Sequence, residues 1–197
     1  MSEIRYKPDR RTDLLVSARA ILAEKGLEAT TVSEIVSRAG VAQGTFYLYF
    51  PSKVALITAL NSELNEHILS AVREATARAT STAEVVHAGV SAAFQALECY
   101  RDVLHVIHSR MTANPTLDDW EEQFGPYRKL IIELIQHWQA VGEIDEAINP
   151  DISARLIIGL INHAADECYI YHVQVQPHIY IAEVIRFISR ALGLSVS

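Results

Sequence analysis

Hydrogen-bonding and aromatic side chains are concentrated in one short stretch of the 197-residue chain, AGVAQGTFYLYFPSK. Gln43, Gly44 and Thr45 open a short segment with helical spacing, and Tyr47 and Tyr49 follow within a turn. A glutamine side chain donates and accepts hydrogen bonds together, which suits the adenine edge, and hydroxyls bond phosphates or base edges. The glycine lets a backbone come close to a groove wall. These residue types support nucleic-acid contact.

Short helices must position these side chains. Apolar residues follow the helical period over residues 12–25, which end at a glycine. Thr31 and Glu34 form a capping box that opens a second helix, and this helix stops at Gly40 after about two turns. Residues 42–49 can form a third short helix, which the proline that follows ends. This arrangement fits a helix-turn-helix, whose second helix enters the major groove of DNA.

The starts of the flanking helices offer further sites for phosphate. Thr30 and Thr31 lie at one helix start, and Ser52 and Lys53 lie at the next. Free N–H groups and the positive dipole end favour anions at such positions. The alternative for Lys53 is an exposed lysine in the first turn of a long helix over residues 53–78. The basic residues that precede the first helix can track the DNA backbone; they are Arg5, Lys7, Arg10 and Arg11.

The aromatic residues of the stretch are expected on two faces of the third helix. Phe46 and Phe50, and with them Leu48, are better assigned to the small core than to contact with a partner. Tyr47 and Tyr49 are expected to face outward, although amphipathic packing is the alternative for both.

The segment ILAEKGLEATTVSEIVSRAGVAQGTFYLYFPSKVALI, within residues 12–60, resembles the DNA-binding domain of the TetR/AcrR family of transcriptional regulators. The resemblance implies operator contacts at Thr31, Gln43, Thr45, Tyr47, Tyr49 and Lys53. Many members have histidine where this chain has Tyr49, and both side chains can bind a phosphate. Together with the positions inferred above, the expected DNA-binding residues are Thr30, Thr31, Gln43, Gly44, Thr45, Tyr47, Tyr49 and Lys53.

The predicted architecture is all-α, with a three-helix helix-turn-helix DNA-binding domain over 1–53 and a helical ligand-binding and dimerisation domain over 54–197. Helices are expected at 82–111, with a break near residues 100–102, and then at 117–141, 151–172 and 177–193. By resemblance, the last two form a homodimer interface. Their apolar faces fit this role, although completing the monomer core is the alternative; the residues are Leu156, Ile157, Leu160, Ile161, Ile181, Val184, Ile185 and Ile188.

The resemblance also implies a small-molecule effector, for which a largely apolar pocket with few polar groups is expected between residues 94 and 167. The candidate ligand-binding residues are Phe94, Leu97, Leu104, His105, His108, Met111, Trp120, Phe124, Tyr127, Asn162 and Asp166. For each of them, plain packing is the alternative. Their apolar character favours a lipophilic effector, such as a fatty acyl group or an aromatic molecule. No cofactor is expected, and the paired histidines lack the spacing of a dedicated metal site.

Charge is distributed unevenly along the chain, whose net charge is −7. Residues 1–53 carry eight Lys/Arg and six Asp/Glu, a net charge of +2, which leaves −9 for the remainder. This asymmetry favours an anionic partner for the N-terminal part alone. No apolar run has the length of a membrane span, no secretory signal begins the sequence, and the two cysteines form no framework. We therefore expect a cytoplasmic protein with no membrane partner.

The leading hypothesis is a repressor, not an enzyme, that a small lipophilic effector releases from a palindromic double-stranded DNA operator. The first alternative is a helical small-molecule-binding or interaction protein without DNA binding. The second is an enzyme, which the sequence disfavours because it contains no nucleophile elbow, glycine-rich phosphate loop or zinc-protease motif.

Overall fold

The computed structural model of the chain describes residues 9–111, 117–171 and 175–194, and all regular secondary structure in these ranges is α-helical. The predicted all-α fold is therefore confirmed. The helices are α1 (Arg10–Ala29), α2 (Val32–Ala39), α3 (Gln43–Tyr49), α4 (Lys53–Thr76), α5 (Thr82–Glu98), α6 (Leu104–Met111), α7 (Leu117–Ala140), α8 (Pro150–Tyr169) and α9 (Pro177–Ala191). Within the described ranges, no helix has the length and apolar character needed to cross a membrane.

Helix α1 contains a sharp break near its end. It starts where the Asp9 carboxylate accepts a hydrogen bond from the Arg11 amide at 3.1 Å. At Gly26 the backbone takes φ 74° and ψ −179°, a region that only glycine adopts readily. One more turn then carries the chain to Ala29. The glycine predicted to end the helix is therefore a kink, after which a few carbonyl groups need other donors.

Helix α2 is closed at both ends by its own sequence. The Thr31 hydroxyl accepts from the Glu34 amide at 3.3 Å, and the Glu34 carboxylate accepts from the Thr31 amide at 3.0 Å. This reciprocal pair confirms the predicted capping box. Gly40 ends the helix in the left-handed region at φ 65°. Ile35 and Val36 are buried between these ends, where α2 packs against α1 and α3.

Helices α3 and α4 are separated by a short turn. The backbone leaves the helical conformation at Phe50, before the proline, as predicted. The Ser52 hydroxyl then accepts from the Ala55 amide at 3.1 Å, which caps the first turn of α4. With Ala42 before its first residue and Phe50 after its last, α3 is limited to about two turns.

The chain divides into two compact units, and the division falls inside α4. The first unit extends to Glu63 and takes in α6 from His105 onward. The second runs from Leu64 to Leu104 and continues with α7, α8 and α9. The sequence predicted this division between residues 53 and 54, in the first turn of α4, which is earlier in the chain than the observed division after Glu63. Helix propensity gives no signal for a boundary inside a continuous helix.

The second unit is built from long helices that pack side by side, α7 on α8 and α5 on both α8 and α9. The predicted break near residues 100–102 is confirmed, since α5 ends at Glu98 and α6 begins at Leu104. Phe94 is fully buried, and its ring lies 6.3 Å from that of Tyr169 between centroids. The Tyr169 hydroxyl also donates to the Phe94 carbonyl at 3.3 Å, which ties α8 to α5.

Candidate nucleic-acid interface and ligand cavity

Helix α3 separates its aromatic residues onto two faces. Phe46 and Phe50 are 0% and 3% exposed, whereas Tyr47 and Tyr49 are 53% and 43% exposed. Residues four apart share a helix face, so the two phenylalanines together anchor α3 in the core. Leu48 is 83% exposed, which corrects its expected place in the core. The helical period places Leu48 opposite the buried face.

Aromatic packing holds α3 in place. The Phe46 ring meets Tyr47 edge-on at a centroid distance of 5.3 Å and lies 5.7 Å from Phe50. The guanidinium of Arg11 lies 5.7 Å from the centroid of the Phe50 ring, on the side of α1. These contacts hold α3 in a fixed orientation, because aromatic pairs and cation–π contacts each have a preferred geometry.

The polar residues at the start of α3 are accessible. Gln43 and Gly44 are exposed, and Thr45 is half-buried. A Cβ atom added at Gly44 would meet no other heavy atom within 4 Å, so the glycine is not required by packing within the protein. The predicted base-reading residues therefore share one accessible helix start.

Thr31 is exposed and its hydroxyl is engaged in the capping box. The hydroxyl donates to the Glu34 carboxylate at 2.7 Å, and Lys25 donates to the same carboxylate. These bonds, that of Lys25 first, lower the pKa of Glu34 to about 2. At neutral pH the start of α2 thus carries a negative charge next to Thr31, and Lys25 is paired with it.

The side chains of Thr30 and Lys53 both make hydrogen bonds within the protein. Thr30 is 1% exposed, and its hydroxyl donates to the Gly26 carbonyl at 2.6 Å. The ammonium of Lys53 donates to the carbonyls of Leu27 at 2.8 Å and Thr30 at 2.9 Å. Both side chains therefore satisfy carbonyl groups at or just after the kink in α1. This corrects the expectation for Thr30, whose side chain is not accessible to DNA, and gives Lys53 a structural partner.

Most basic side chains in the described part of the first unit are already paired. Arg38 of α2 bonds Glu24 of α1 at 2.7 Å, and Arg10 lies 3.5 Å from Asp13. The predicted arm residues Arg5 and Lys7 lie outside the described residues. Helix α3, with the sequence QGTFYLY, has no Lys or Arg, so its outward face is polar and aromatic with one exposed leucine.

The second unit contains a cavity of about 130 Å³, partly open to solvent, between α4, α5, α7, α8 and α9. Four predicted ligand-binding residues line it: Leu97, Phe124, Tyr127 and Asn162. Trp138 lines the cavity as well. The sequence reasoning missed the other lining residues, which are Asn65, Ile68, Val72, Thr76, Val85, Val86, Gly89, Val90, Ala93, Leu130, Ile131, Leu134, Ile157, Ile158, Ile161, Ile188 and Leu192. The four-residue spacing of Ile68 and Val72 on α4 was the available signal, but it does not distinguish a cavity wall from a core.

Polar groups are few in the cavity wall. The Tyr127 hydroxyl donates to the backbone carbonyl of Asn65 at 2.7 Å and lies 3.1 Å from its side-chain oxygen. Burial raises the pKa of Tyr127 well above its usual value, so the hydroxyl remains a donor. This bond joins α7 to α4 at the wall of the cavity.

The remaining predicted ligand-binding residues are not among the lining residues. Phe94 is packed against Tyr169, and Trp120 lies under the guanidinium of Arg155, 4.5 Å from its ring centroid. His105, His108 and Met111 belong to α6, which groups with the first unit, and Leu104 at its start is buried. Asp166 lies on α8 and is half-buried. The sequence prediction placed α6 in the domain over 54–197, whereas its contacts group it with the first unit; the apolar period of a helix carries no information about its partner.

Two family descriptions match the chain. Residues 14–60 match the bacterial regulatory proteins of the tetR family, and residues 86–192 match the C-terminal domain of tetracyclin repressor-like proteins. Together they cover the outward helix α3 and most of the second unit.

Related sequences and structures agree with these matches. The HTH-type transcriptional regulator YvdT of Bacillus subtilis is 32% identical over 181 residues, which cover 91% of this chain and 93% of that protein. The HTH-type transcriptional repressor KstR2 of Mycolicibacterium smegmatis is 28% identical over 77% of this chain and 74% of its own length. The fold is similar to that of FadR from Bacillus subtilis in complex with stearoyl-CoA, with a TM-score of 0.78, 20% identity and coverage of 90% of this chain and 96% of that chain.

Proposed function

The chain belongs to the TetR family of bacterial regulatory proteins, and from that premise we propose that it is a repressor which a small lipophilic effector releases from DNA. As a member of this family it is a DNA-binding transcriptional regulator. The observation that carries the proposal is the continuity of helix α4. This helix begins shortly after α3, and its C-terminal half lines the cavity.

The proposed base-reading surface is the start of α3. Gln43 is accessible and can bond an adenine edge, Thr45 can contact a base edge or methyl group, and Gly44 leaves room for the groove wall. The exposed hydroxyls of Tyr47 and Tyr49 are suited to phosphates on either side. Aromatic packing of the buried face fixes the register of these groups.

The proposed phosphate contact at the start of α2 is Thr31. Its backbone and hydroxyl are engaged with Glu34, so a phosphate would approach the remaining N–H groups of the first turn. Lys53 supports the surface differently, because its ammonium holds the turn beyond the α1 kink. Thr30 is left out of the proposed contacts.

The effector would act by favouring one conformation of α4 over another. A ligand in the cavity touches Asn65, Ile68, Val72 and Thr76 on this helix. A ligand shifts an equilibrium only by its difference in affinity for the two states. The largely apolar wall supports a lipophilic effector. When bound, this effector would stabilise the conformation of α4 that does not fit the operator.

A homodimer is proposed to match the two halves of a palindromic operator. Apolar residues remain exposed on α8 and α9, with Leu156 at 68% and Phe187 at 66%. Part of the face expected for the dimer has another role: Val184 and Ile188 are buried within one chain, and Ile157 and Ile161 line the cavity. The proposed interface is therefore centred on Ile152, Leu156, Ile179 and Phe187.

The proposal is tested with an operator selected from random duplexes and followed by fluorescence anisotropy. Adding lipophilic compounds of different sizes should release the labelled duplex from the protein. Gly89→Leu adds a side chain toward Thr76 and Val72 in the cavity wall and should bind DNA but resist release. Gly89→Ala, which adds one methyl group, is the matched control and should still respond. If Gly89→Leu responds as the unmodified protein does, the cavity is not the effector site.

A further inference from the structure

Building on the proposed effector role of the cavity, we propose the chemical class of its ligand. The part of the effector that enters the cavity is electrically neutral, with an apolar body and a carbonyl group that accepts a hydrogen bond from the amide of Asn162. Esters, amides and ketones belong to this class, whereas free carboxylates and ammonium ions do not.

The first argument is the uniform neutrality of the wall. None of the described side chains lining the cavity is Asp, Glu, Lys, Arg or His. An ion taken from water into such a site loses its hydration and gains no opposite charge in exchange. A neutral ligand of the same shape avoids this cost, so charge alone should separate the two classes.

The second argument is the state of the polar groups in the wall. Asn162 is half-buried on α8, and its amide makes no hydrogen bond to any part of the chain that the structure describes. The Asn65 side-chain oxygen faces the Tyr127 hydroxyl, which leaves the Asn65 NH₂ group as a donor. The Thr76 hydroxyl is occupied, since it donates to the Val72 carbonyl at 2.8 Å. Two amides, those of Asn65 and Asn162, thus offer N–H donors whose partner in a ligand is a carbonyl oxygen, and Asn162 also offers its Oδ1 as an acceptor.

The third argument concerns the nearest arginine in the sequence. Arg128 follows the cavity residue Tyr127 but is not among the lining residues. Its guanidinium donates to Asp151 and to Glu121, both at 2.6 Å. These two carboxylates hold it between α7 and α8, so it is not available to neutralise an acidic ligand.

The volume sets the size of suitable probes. At about 130 Å³ the cavity is close to an engineered cavity of roughly 150 Å³ that binds benzene. Short-chain probes therefore fit with little rearrangement. A matched series is methyl hexanoate, hexanoate and hexylammonium, which share one chain and differ in charge.

Binding is measured directly and without DNA, so that its result is independent of the regulatory proposal. Trp138 lines the cavity and serves as the reporter, in a Trp120→Phe background that removes the other tryptophan. Methyl hexanoate should give saturable changes in emission and bind at least about 10-fold more tightly than either ion at neutral pH. Equal or tighter binding of an ion, or no saturable response to the ester, would overturn the proposal.

Variants of Asn162 test the role assigned to its amide. Asn162→Leu should weaken the ester by about 3- to 10-fold, the usual worth of one neutral hydrogen bond. Asn162→Asp should instead improve binding of hexylammonium, because it adds a negative charge to the wall. This second variant keeps the test decisive if Asn162→Leu does not fold. Gln136→Leu removes an exposed amide on α7 that does not line the cavity, and it should leave all three affinities unchanged. If both Asn162 variants keep the original order and strength, the amide does not bind the ligand.

The two proposals can fail separately. An ester that binds the cavity but does not release the operator leaves the ligand class standing and contradicts the regulatory role. An acid that binds more tightly than the ester and releases the operator supports the regulatory role and contradicts the proposed ligand class.

Discussion

Two glycines in the first unit carry different physical demands. Gly26 has φ 74° and ψ −179°, a backbone conformation essentially limited to glycine, whereas Gly44 lies inside helix α3. An added Cβ would have free space at both positions. Any effect of alanine on folding must therefore come from backbone conformation and not from a clash.

Gly44→Ala should separate stability from DNA binding. Alanine is the better helix former, so the free energy of unfolding should stay the same or rise by up to about 1 kcal/mol. Operator affinity should fall because the new methyl group faces the groove wall. Gly26→Ala is the contrasting variant and should lose about 1–3 kcal/mol of stability. Denaturant unfolding and anisotropy measure the two quantities; a Gly44→Ala protein that binds as tightly as before contradicts the close approach.

Lys53 is expected to act through the fold. Lys53→Met removes two charge-assisted hydrogen bonds to the carbonyls of Leu27 and Thr30, and the free energy of unfolding should fall by about 1.5–3 kcal/mol. Operator affinity should fall too, but the slope of log affinity against log salt should stay unchanged. A direct phosphate contact would instead reduce that slope by about 1. A flattened slope with unchanged stability would return Lys53 to the DNA contacts.

At the scale of elements, the capping box of α2 makes stability depend on acid. The folded protein holds the pKa of Glu34 at about 2, below the ordinary value of 4.5 for a glutamate. Since the folded pKa is depressed, the stabilisation is fully present above about pH 4.5 and is lost as the pH falls toward 2.

Glu34→Gln should reduce this acid dependence. The variant keeps a hydrogen-bonding side chain but loses the charge that binds Lys25, so its melting temperature should be lower at pH 7 and approach that of the unmodified protein near pH 2. Thermal unfolding across this range measures the difference. Parallel curves, with the same gap at every pH, would show that Glu34 does not titrate as described.

Sequence patterns predicted the helices better than they predicted which helices pack against each other. Capping residues, glycine stops and the proline after α3 act locally, so the helices came close to their observed bounds. The faces of α3 also followed from the helical period, which places Leu48 outward; its apolar side chain was the reason for expecting it in the core. The place of α6 and the lining of the cavity depend on which helices meet, and the period of one helix does not encode its neighbour. The internal contacts of Thr30 and Lys53 were not foreseen, because nothing in the helical pattern indicates that carbonyl groups at and after the Gly26 kink accept hydrogen bonds from these side chains.

At the scale of the whole molecule, exposed apolar residues on α8 and α9 predict association. Leu156→Glu together with Phe187→Glu places charges on faces that are 68% and 66% exposed in one chain, so the monomer should remain folded. Light scattering should give about 22 kDa for the variant, the mass of one 21.9 kDa chain, and about twice that for the unmodified protein. Val16→Glu, at an α1 position 64% exposed, should remain dimeric. A double variant of unchanged mass would exclude this interface.

The account depends most on the claim that the start of α3 reads DNA sequence. Selection from a random pool of DNA duplexes, carried out in parallel with the unmodified protein and Gln43→Ala, tests it directly. The unmodified protein should enrich a palindrome with half-sites about one helical turn or a multiple apart. Gln43→Ala should keep that spacing, lose its preference at one base pair in each half-site, and bind the original palindrome about 10-fold or more weakly. Enrichment of the same palindrome with the same affinity by both proteins, or of no sequence by either, would contradict the account.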